Sequence, residues 1–337
     1  MSTKSEIIKI LEENRGATVS GSILADKFNI SRAAVWKAIK ELRREGYNIH
    51  AGTNRGYSLS ADSDLLSAEA ILLYLQNTSV NIGRENIYVY KTLDSTNQLA
   101  KKMAVEGAAH GTVVLSEEQT NGRGRLGRSF FSPKGTGIYM SIILRPTGTA
   151  EAALPVTTAA SVAVSRALSQ VIGIEAQIKW VNDIYLNNRK ICGILTEAVS
   201  DFETGTIEAV ILGIGINYST PQQNFPDDIK NTAGSVLNQP HNISNAAGTQ
   251  TVLSRSRLAA VIIDNVLMLA ENLDPALFID EYKARCFILG KDITVYQGNS
   301  RYDAKALDID SKGGLVVQKS DGTSIVLNSG EVTVRTK

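Results

Sequence analysis

The chain is poor in cysteine, histidine and proline, with two, three and seven in 337 residues. Cys192 and Cys286 have neither metal-type spacing nor the company needed for a disulfide framework. His50, His110 and His241 are scattered, so a zinc centre and a histidine-based triad both lack material. Charge of one sign is also missing: 35 Lys and Arg stand against 34 Asp and Glu. Nothing global therefore selects a nucleic acid or a membrane as partner. No apolar run approaches the roughly 20 residues of a bilayer span, and no signal peptide opens the chain. The expectation is a protein of the reducing cytoplasm, with no membrane partner. At 43% hydrophobic residues the composition is that of a folded chain, long enough for two or three domains of roughly 100–200 residues.

What is present is unevenly placed. In the stretch from Glu118 to Arg128, Gly122, Gly124 and Gly127 alternate with Arg123, Arg125 and Arg128. Glycine lets backbone amides close on a ligand, and arginine supplies a fork of donors suited to carboxylate or phosphate. A flexible basic linker is the bland alternative. The flanks oppose it, because residues 111–116 and 137–144 both read as buried strands.

The first sixty residues carry ten Lys and Arg against six Asp and Glu. Helices are predicted over Lys4–Leu11 (Ile7, Ile8 and Leu11 on one face) and Val19–Phe28, with a turn at Asn29-Ile30. Ser31 is placed to cap a third helix, in which Ala34, Val35, Ala38, Ile39 and Leu42 form the buried stripe. Alternating residues on either side of Gly52–Gly56 make a hairpin. Three helices and a hairpin read as a winged helix-turn-helix, with the motif at about Gly21 to Lys40. Its DNA-facing candidates are Ser31, Arg32, Ala33, Trp36, Lys37 and Lys40, with Arg55 at the wing tip near phosphates. A winged helix used only for protein contacts is the alternative.

A polar hinge at 60–64 and a helix from Ser67 to Leu75 follow, then a strand at 87–90. Asp94, Ser95, Thr96 and Asn97 read either as N-cap residues or as hydroxyl and amide groups facing the arginine loop. Leu154–Leu168 is predicted as a buried, alanine-rich helix. Ile178–Leu186 and Lys190–Ala198 are predicted as paired strands joined at Asn187-Asn188, residues that tolerate positive φ. They carry Lys179, Asn182, Asp183 and Lys190, polar groups that cost stability in a core unless paired or used; a salt bridge from Asp183 to a lysine is the plain alternative. Another buried strand spans 209–217. After a last helix at 276–285, short strands at 293–296, 302–307, 315–318 and 324–327 suggest a small SH3-like antiparallel barrel.

In this order the motifs resemble those of the bacterial bifunctional biotin–protein ligases that also repress the biotin operon. Asp94–Asn97 matches the family's D-S-T-N, and Gln119 with Gly122–Arg125 matches its biotin and adenylate loop. Lys179–Ile184 matches K-W-P-N-D, Arg189–Gly193 matches K-x-x-G, and Gly213–Asn217 matches G-x-G-x-N. Val181 stands where the family usually has proline, and Leu126 where some members have a further arginine. Residues 231–237 match its A-T-S-L segment imperfectly.

The resemblance implies an α+β protein in three parts: a winged helix-turn-helix over 1–62, a mixed-sheet catalytic domain like that of class II synthetases over 66–280, and the SH3-like barrel over 285–337. It implies activation of biotin by ATP with Mg²⁺ to biotinyl-5′-AMP, then transfer to a lysine of a biotin carboxyl carrier protein. By the same resemblance Lys190, Arg123 and Asp183 are catalytic, with Asp183 also placing the nucleotide's Mg²⁺. Ser95, Thr96, Asn97, Gln119, Arg123, Gly124, Arg125 and Lys190 surround biotin. Gly122, Arg125, Arg128, Lys179, Asn182, Asp183, Gly193 and Asn217 surround ATP or the adenylate. The adenylate is expected to order the arginine loop, favour a homodimer and so pair two winged helices on operator DNA. A lipoate–protein ligase, a ligase without repression and an adenylate-binding repressor without turnover stand as alternatives.

Overall fold

The computed structural model describes residues 3–52, 55–75, 82–145, 153–200, 206–237, 253–271, 273–298 and 300–334. Residues 53 and 54 of the expected wing turn lie outside that set. The N-terminal unit is built from α1 (Thr3–Glu13), α2 (Gly21–Phe28), α3 (Arg32–Glu45), β1 (Ile49–Gly52) and β2 (Gly56–Leu59). Its core is its own: Ile7, Ile8, Leu11, Leu24, Val35, Ile39, Leu42 and Leu59 are all essentially without exposure. The second helix begins later than its apolar pattern suggests. Ser20 caps it, and Val19 instead forms a single antiparallel bridge with Tyr57 of the wing. Asn29, in the left-handed region at φ 50°, ends α2, as the turn requires.

The central unit contains α4 (Ala68–Tyr74), β3 (Ile87–Tyr90), α5 (Thr96–Val105), β4 (Thr112–Ser116), β5 (Gly137–Leu144), α6 (Ala153–Ile172), β6 (Gln177–Lys179), β7 (Asp183–Leu186), β8 (Arg189–Ser200), β9 (Ile207–Asn217), α7 (Arg255–Ala270) and α8 (Ile279–Arg285). Its seven strands lie in the order β3-β4-β5-β9-β8-β7-β6, parallel at β3–β4 and antiparallel elsewhere. Side chains alternate along each strand. Ile138, Ile142, Leu212 and Ile214 pack with α6 and α7, whereas Val114, Ile143, Val199 and Ile211 pack with α5.

One predicted strand is two. Ile178–Leu186 folds back on itself as β6 and β7, pairing Lys179 with Asp183 across a turn made of Trp180, Val181 and Asn182. The Trp180–Val181 peptide is cis. The β7–β8 turn is as expected, with Asn187 and Asn188 at φ 49° and 61°.

The C-terminal unit consists of β10 (Asp292–Gln297), β11 (Ser300–Ile309), β12 (Leu315–Lys319), β13 (Ser324–Leu327) and β14 (Glu331–Val334). They form one antiparallel sheet in the order β13-β12-β11-β10-β14. The sequence pattern misses β14. Ile293, Val295, Ala306 and Leu315 belong to the same apolar cluster as the central sheet, so the two units share a core. The Trp180 indole donates to Gly313 O (3.0 Å), and Tyr282 Oη donates to Val181 O (3.0 Å).

The hinge is not loose. Arg15 of the winged helix donates to Ser63 O and holds Glu12 at 2.5 Å. From the other side Arg255, at the first turn of α7, ion-pairs with Asp64 (3.1 Å) and with Glu117 (2.7 Å). The polar segment read as a hinge is thus clamped at both ends by buried guanidinium groups.

Candidate active site

The motif residues converge on one cleft at the ends of the central strands. The turn between β3 and α5 brings Ser95, Thr96 and Asn97 there, all under 5% exposed. Ser95 precedes α5 but makes no side-chain cap, so capping does not account for its hydroxyl. The Thr96 amide donates to Gln119 Oε1 (2.8 Å), and Gln119 Nε2 donates to Ser132 Oγ (3.0 Å). Behind them Ser141 Oγ lies 2.6 Å from Asn97 Oδ1 and 2.8 Å from Thr96 Oγ1, while Thr96 Oγ1 lies 3.1 Å from Gln119 Oε1. These three contacts have only two hydroxyl protons between them. The cluster is short of donors, and this end of the cleft favours a molecule that brings N–H groups.

The other end is cationic. Arg123, Arg125, Arg128 and Lys190 line the cleft with only Asp183 and Glu331 as carboxylates among its described walls. The arginine loop has a defined path: Gly124 N donates to Arg128 O (2.7 Å) and Phe130 N to Gly122 O (2.9 Å). Leu126, at φ 55° and 75% exposed, marks its apex. Arg125 donates to Asn182 Oδ1 (3.1 Å) and Gly330 O (3.3 Å), and Arg128 forms a two-pronged pair with Glu331 at 2.5 and 2.6 Å. The strand that periodicity misses therefore reaches the site.

Lys190 Nζ stands 2.7 Å from Asp183 Oδ1, the salt bridge offered as the plain alternative, and it lies inside the cleft. That oxygen is buried yet accepts no well-aligned hydrogen bond. No described group of three or more His, Cys, Asp and Glu residues could hold a metal. An under-satisfied carboxylate beside a cluster of cations fits a Mg²⁺ that would arrive with phosphate oxygens, since Mg²⁺ takes one or two carboxylates plus phosphate oxygens.

Three expected contacts stand off the cleft wall. Gly122 serves the loop itself: a Cβ there would meet Phe130 O at 2.4 Å. Lys179 Nζ turns to the Tyr185 ring (6.0 Å), and burial lowers its pKa from the usual lysine range. Asn217 donates to Gly234 O (3.1 Å), bracing residues 231–234, whose backbone pairs with that of Lys190. Residues the sequence reading missed on the wall include Phe130, Met140 and Glu331. Phe130 was detectable in principle, because Gly193 and Gly215 make room for it: a Cβ on Gly215 would meet its ring at 2.6 Å. Gly213 similarly seats Asn97, with only 2.2 Å left for a Cβ. Gly213→Ala is expected to push Asn97 out of its seat and to destabilise the fold by about 1–3 kcal/mol through overpacking, checked by denaturant unfolding.

The winged helix presents the expected face. Ser31 caps α3 by accepting from Ala34 N (3.1 Å), and Arg32, Ala33, Trp36, Lys37, Lys40 and Arg55 are exposed. Trp36 is 56% exposed, with Lys40 Nζ 5.1 Å from its ring. Arg43 Nε donates to Ile49 O (2.8 Å), tying α3 to β1. No described helix is long and apolar enough to cross a membrane.

Comparison with known proteins assigns each part. Residues 89–217 match the biotin/lipoate A/B protein ligase family, 3–58 an HTH domain, and 288–335 the biotin protein ligase C-terminal domain. The chain is 33% identical to the bifunctional ligase/repressor BirA of Bacillus subtilis over 95% of both chains. It is 30% identical to BirA of Escherichia coli, covering 94% of this chain and 92% of that one. Among solved structures, the biotin protein ligase of Aquifex aeolicus in complex with biotin and ATP superposes with a TM-score of 0.60 at 25% identity, covering 75% of this chain and all of that one. With matches running from winged helix to C-terminal sheet, this chain belongs to the biotin protein ligase family, among its bifunctional ligase/repressor members.

Proposed function

We propose that this protein activates biotin with ATP and transfers it to a lysine of a carrier protein, and that its adenylate-bound form represses transcription. The observation that carries the reading is one cleft with a donor-poor polar end and a cationic end. Biotin has both complements, a ureido ring with two N–H donors and a carboxylate at the far end of its chain. In the first step a carboxylate oxygen of biotin attacks the α-phosphorus of ATP, and pyrophosphate leaves. In the second, the carrier's lysine amine attacks the acyl carbon, AMP leaves and the amine proton passes to solvent. Neither step needs a nucleophile from the protein; both need alignment and neutralised charge.

Ser95, Thr96, Asn97 and Gln119 would hold the ureido ring. Arg123, Gly124, Arg125 and Lys190 would hold the carboxylate and then the acyl phosphate. Arg128, Asn182, Asp183 and Gly193 border the nucleotide. Gly122, Lys179 and Asn217 support that region from behind. When bound, Mg²⁺ would screen the phosphates, with Asp183 its protein oxygen. The buried, unbridged thiols of Cys192 and Cys286 support placement in a reducing cytoplasm. Ordering of the arginine loop by adenylate, with homodimerisation, completes the repressor reading as an order-on-binding switch.

Biotin-dependent exchange of labelled pyrophosphate into ATP tests the first step. Exchange with biotin and none with lipoate is expected; no exchange from protein that binds biotin would leave a sensor without turnover. For the repressor arm, Lys40→Ala and Arg55→Ala should each reduce the slope of log K against log salt for operator DNA by about one. Pyrophosphate exchange should stay unchanged in both, and a slope equal to the parent's would take those side chains off the phosphates.

A further inference from the structure

Glu197 projects from β8 on the α5 side of the sheet, the side occupied by Val199, Ile211 and Ala100. A carboxylate there has one described partner, Asn97, whose Nδ2 donates to Glu197 Oε2 at 2.7 Å. A carboxylate only accepts, so it fixes which way the Asn97 amide lies. Oδ1 is then turned to Ser141, 2.6 Å away, and takes the single proton of that hydroxyl. With its proton committed to Asn97, Ser141 Oγ gives none to Thr96 Oγ1, 2.8 Å away, and the Thr96 proton stays in the wall, on Ser141 Oγ or on Gln119 Oε1 (3.1 Å). Thr96 is thereby left with lone pairs toward the cleft.

We infer that Glu197 is a positioning residue that sets the polarity of this relay, making Thr96 an acceptor for a ring N–H. The inference rests on the biotin reading and deepens it. Glu197 touches no substrate; it acts through Asn97 and Ser141. Without its carboxylate the Asn97 amide can turn over and donate to Ser141, which donates to Thr96. Thr96 Oγ1 would then spend a lone pair on the Ser141 proton while its own proton stays on Gln119 Oε1 (3.1 Å), which leaves it a poorer acceptor for a ring N–H.

The test is a calorimetric titration of the full chain with biotin and with the two cyclic carbamates in which one ring N–H is replaced by oxygen. The parent protein should prefer biotin over at least one carbamate by about tenfold or more, because a site built for a donor rejects an isostere that lacks it. Glu197→Leu should weaken biotin binding by about 10- to 100-fold and bring that preference toward unity. Glu197→Gln keeps a carbonyl oxygen for Asn97 and should retain the preference. Ser141→Ala cuts the relay and leaves the Thr96 proton on Gln119 Oε1, so it should keep the preference by itself and, added to Glu197→Leu, should restore it. Equal weakening of biotin and carbamate in Glu197→Leu, or no recovery of the preference in Glu197→Leu/Ser141→Ala, overturns the inference while leaving the biotin reading in place. A parent protein that binds neither compound overturns both.

Discussion

Lys190→Ala is expected to slow formation of biotinyl-5′-AMP by about 10²–10³-fold, the usual loss when one charge-stabilising donor is removed from a preorganised site. Biotin affinity should fall much less. Lys190 shares the cleft with three arginines, which still offer charge to a ground-state carboxylate. What they do not replace is the ammonium 2.7 Å from Asp183. Removing Lys190 has two effects: a cation is lost, and the Asp183 carboxylate, whose Oδ1 already lacks an aligned hydrogen bond, loses its ammonium partner. The double variant Lys190→Ala/Asp183→Asn should therefore be less impaired than the product of its single losses, as expected of groups in contact. Single-turnover adenylation beside equilibrium biotin binding is the measurement. Equal losses in rate and affinity would mean that Lys190 binds ground and transition states alike.

The sequence was informative where chemistry is local. The glycine–arginine alternation at 122–128, the hydroxyl-rich 94–97 turn and the asparagines at 187–188 are each legible within a few residues: the structure brings side chains of the first two to one cleft and gives the asparagines positive φ. Lys179–Asp183 was harder. Its apolar residues suit a strand, but Lys179 and Asp183 face each other as cross-strand neighbours in a tight fold-back, and no periodicity reports that pairing. Glu331 was beyond reach for another reason: its partner Arg128 is 203 residues away, and a four-residue strand gives too short an alternation to register. Glu197 illustrates a third limit. In the sequence it is one more charge at a strand end, and only the sheet register and the space at Gly213 put it against Asn97.

Arg255 is the position at which a substitution should cost the most stability. It is 2% exposed and carries contacts to three parts of the chain: Asp64 in the hinge, Glu117 at the end of β4, and Gly137 O at the start of β5 (3.1 Å). Glu117 also accepts from Leu66 N (2.8 Å), so the ion pair and the hinge backbone form one unit. Arg255→Ala leaves the Glu117 carboxylate, 6% exposed, without its cation, and such losses run to about 3–5 kcal/mol. The destabilisation should depend on pH. Burial holds the Asp64 carboxyl above its ordinary range, with the Arg255 guanidinium opposing that shift. A carboxyl raised in the fold contributes stability that is full below about pH 4 and is lost as pH rises through its folded value. Without Arg255 the folded value rises further, so the deficit of Arg255→Ala against the parent should be larger at pH 8 than at pH 5. Urea unfolding at the two pH values measures it, and an equal deficit at both would mean that the variant suffers from lost packing rather than from uncompensated charge. The same loss should loosen the hinge, because Asp64 is the residue through which α7 holds the segment leading to the winged helix. Cleavage by a protease of low specificity should therefore move to residues 60–66 in Arg255→Ala while the parent resists it there.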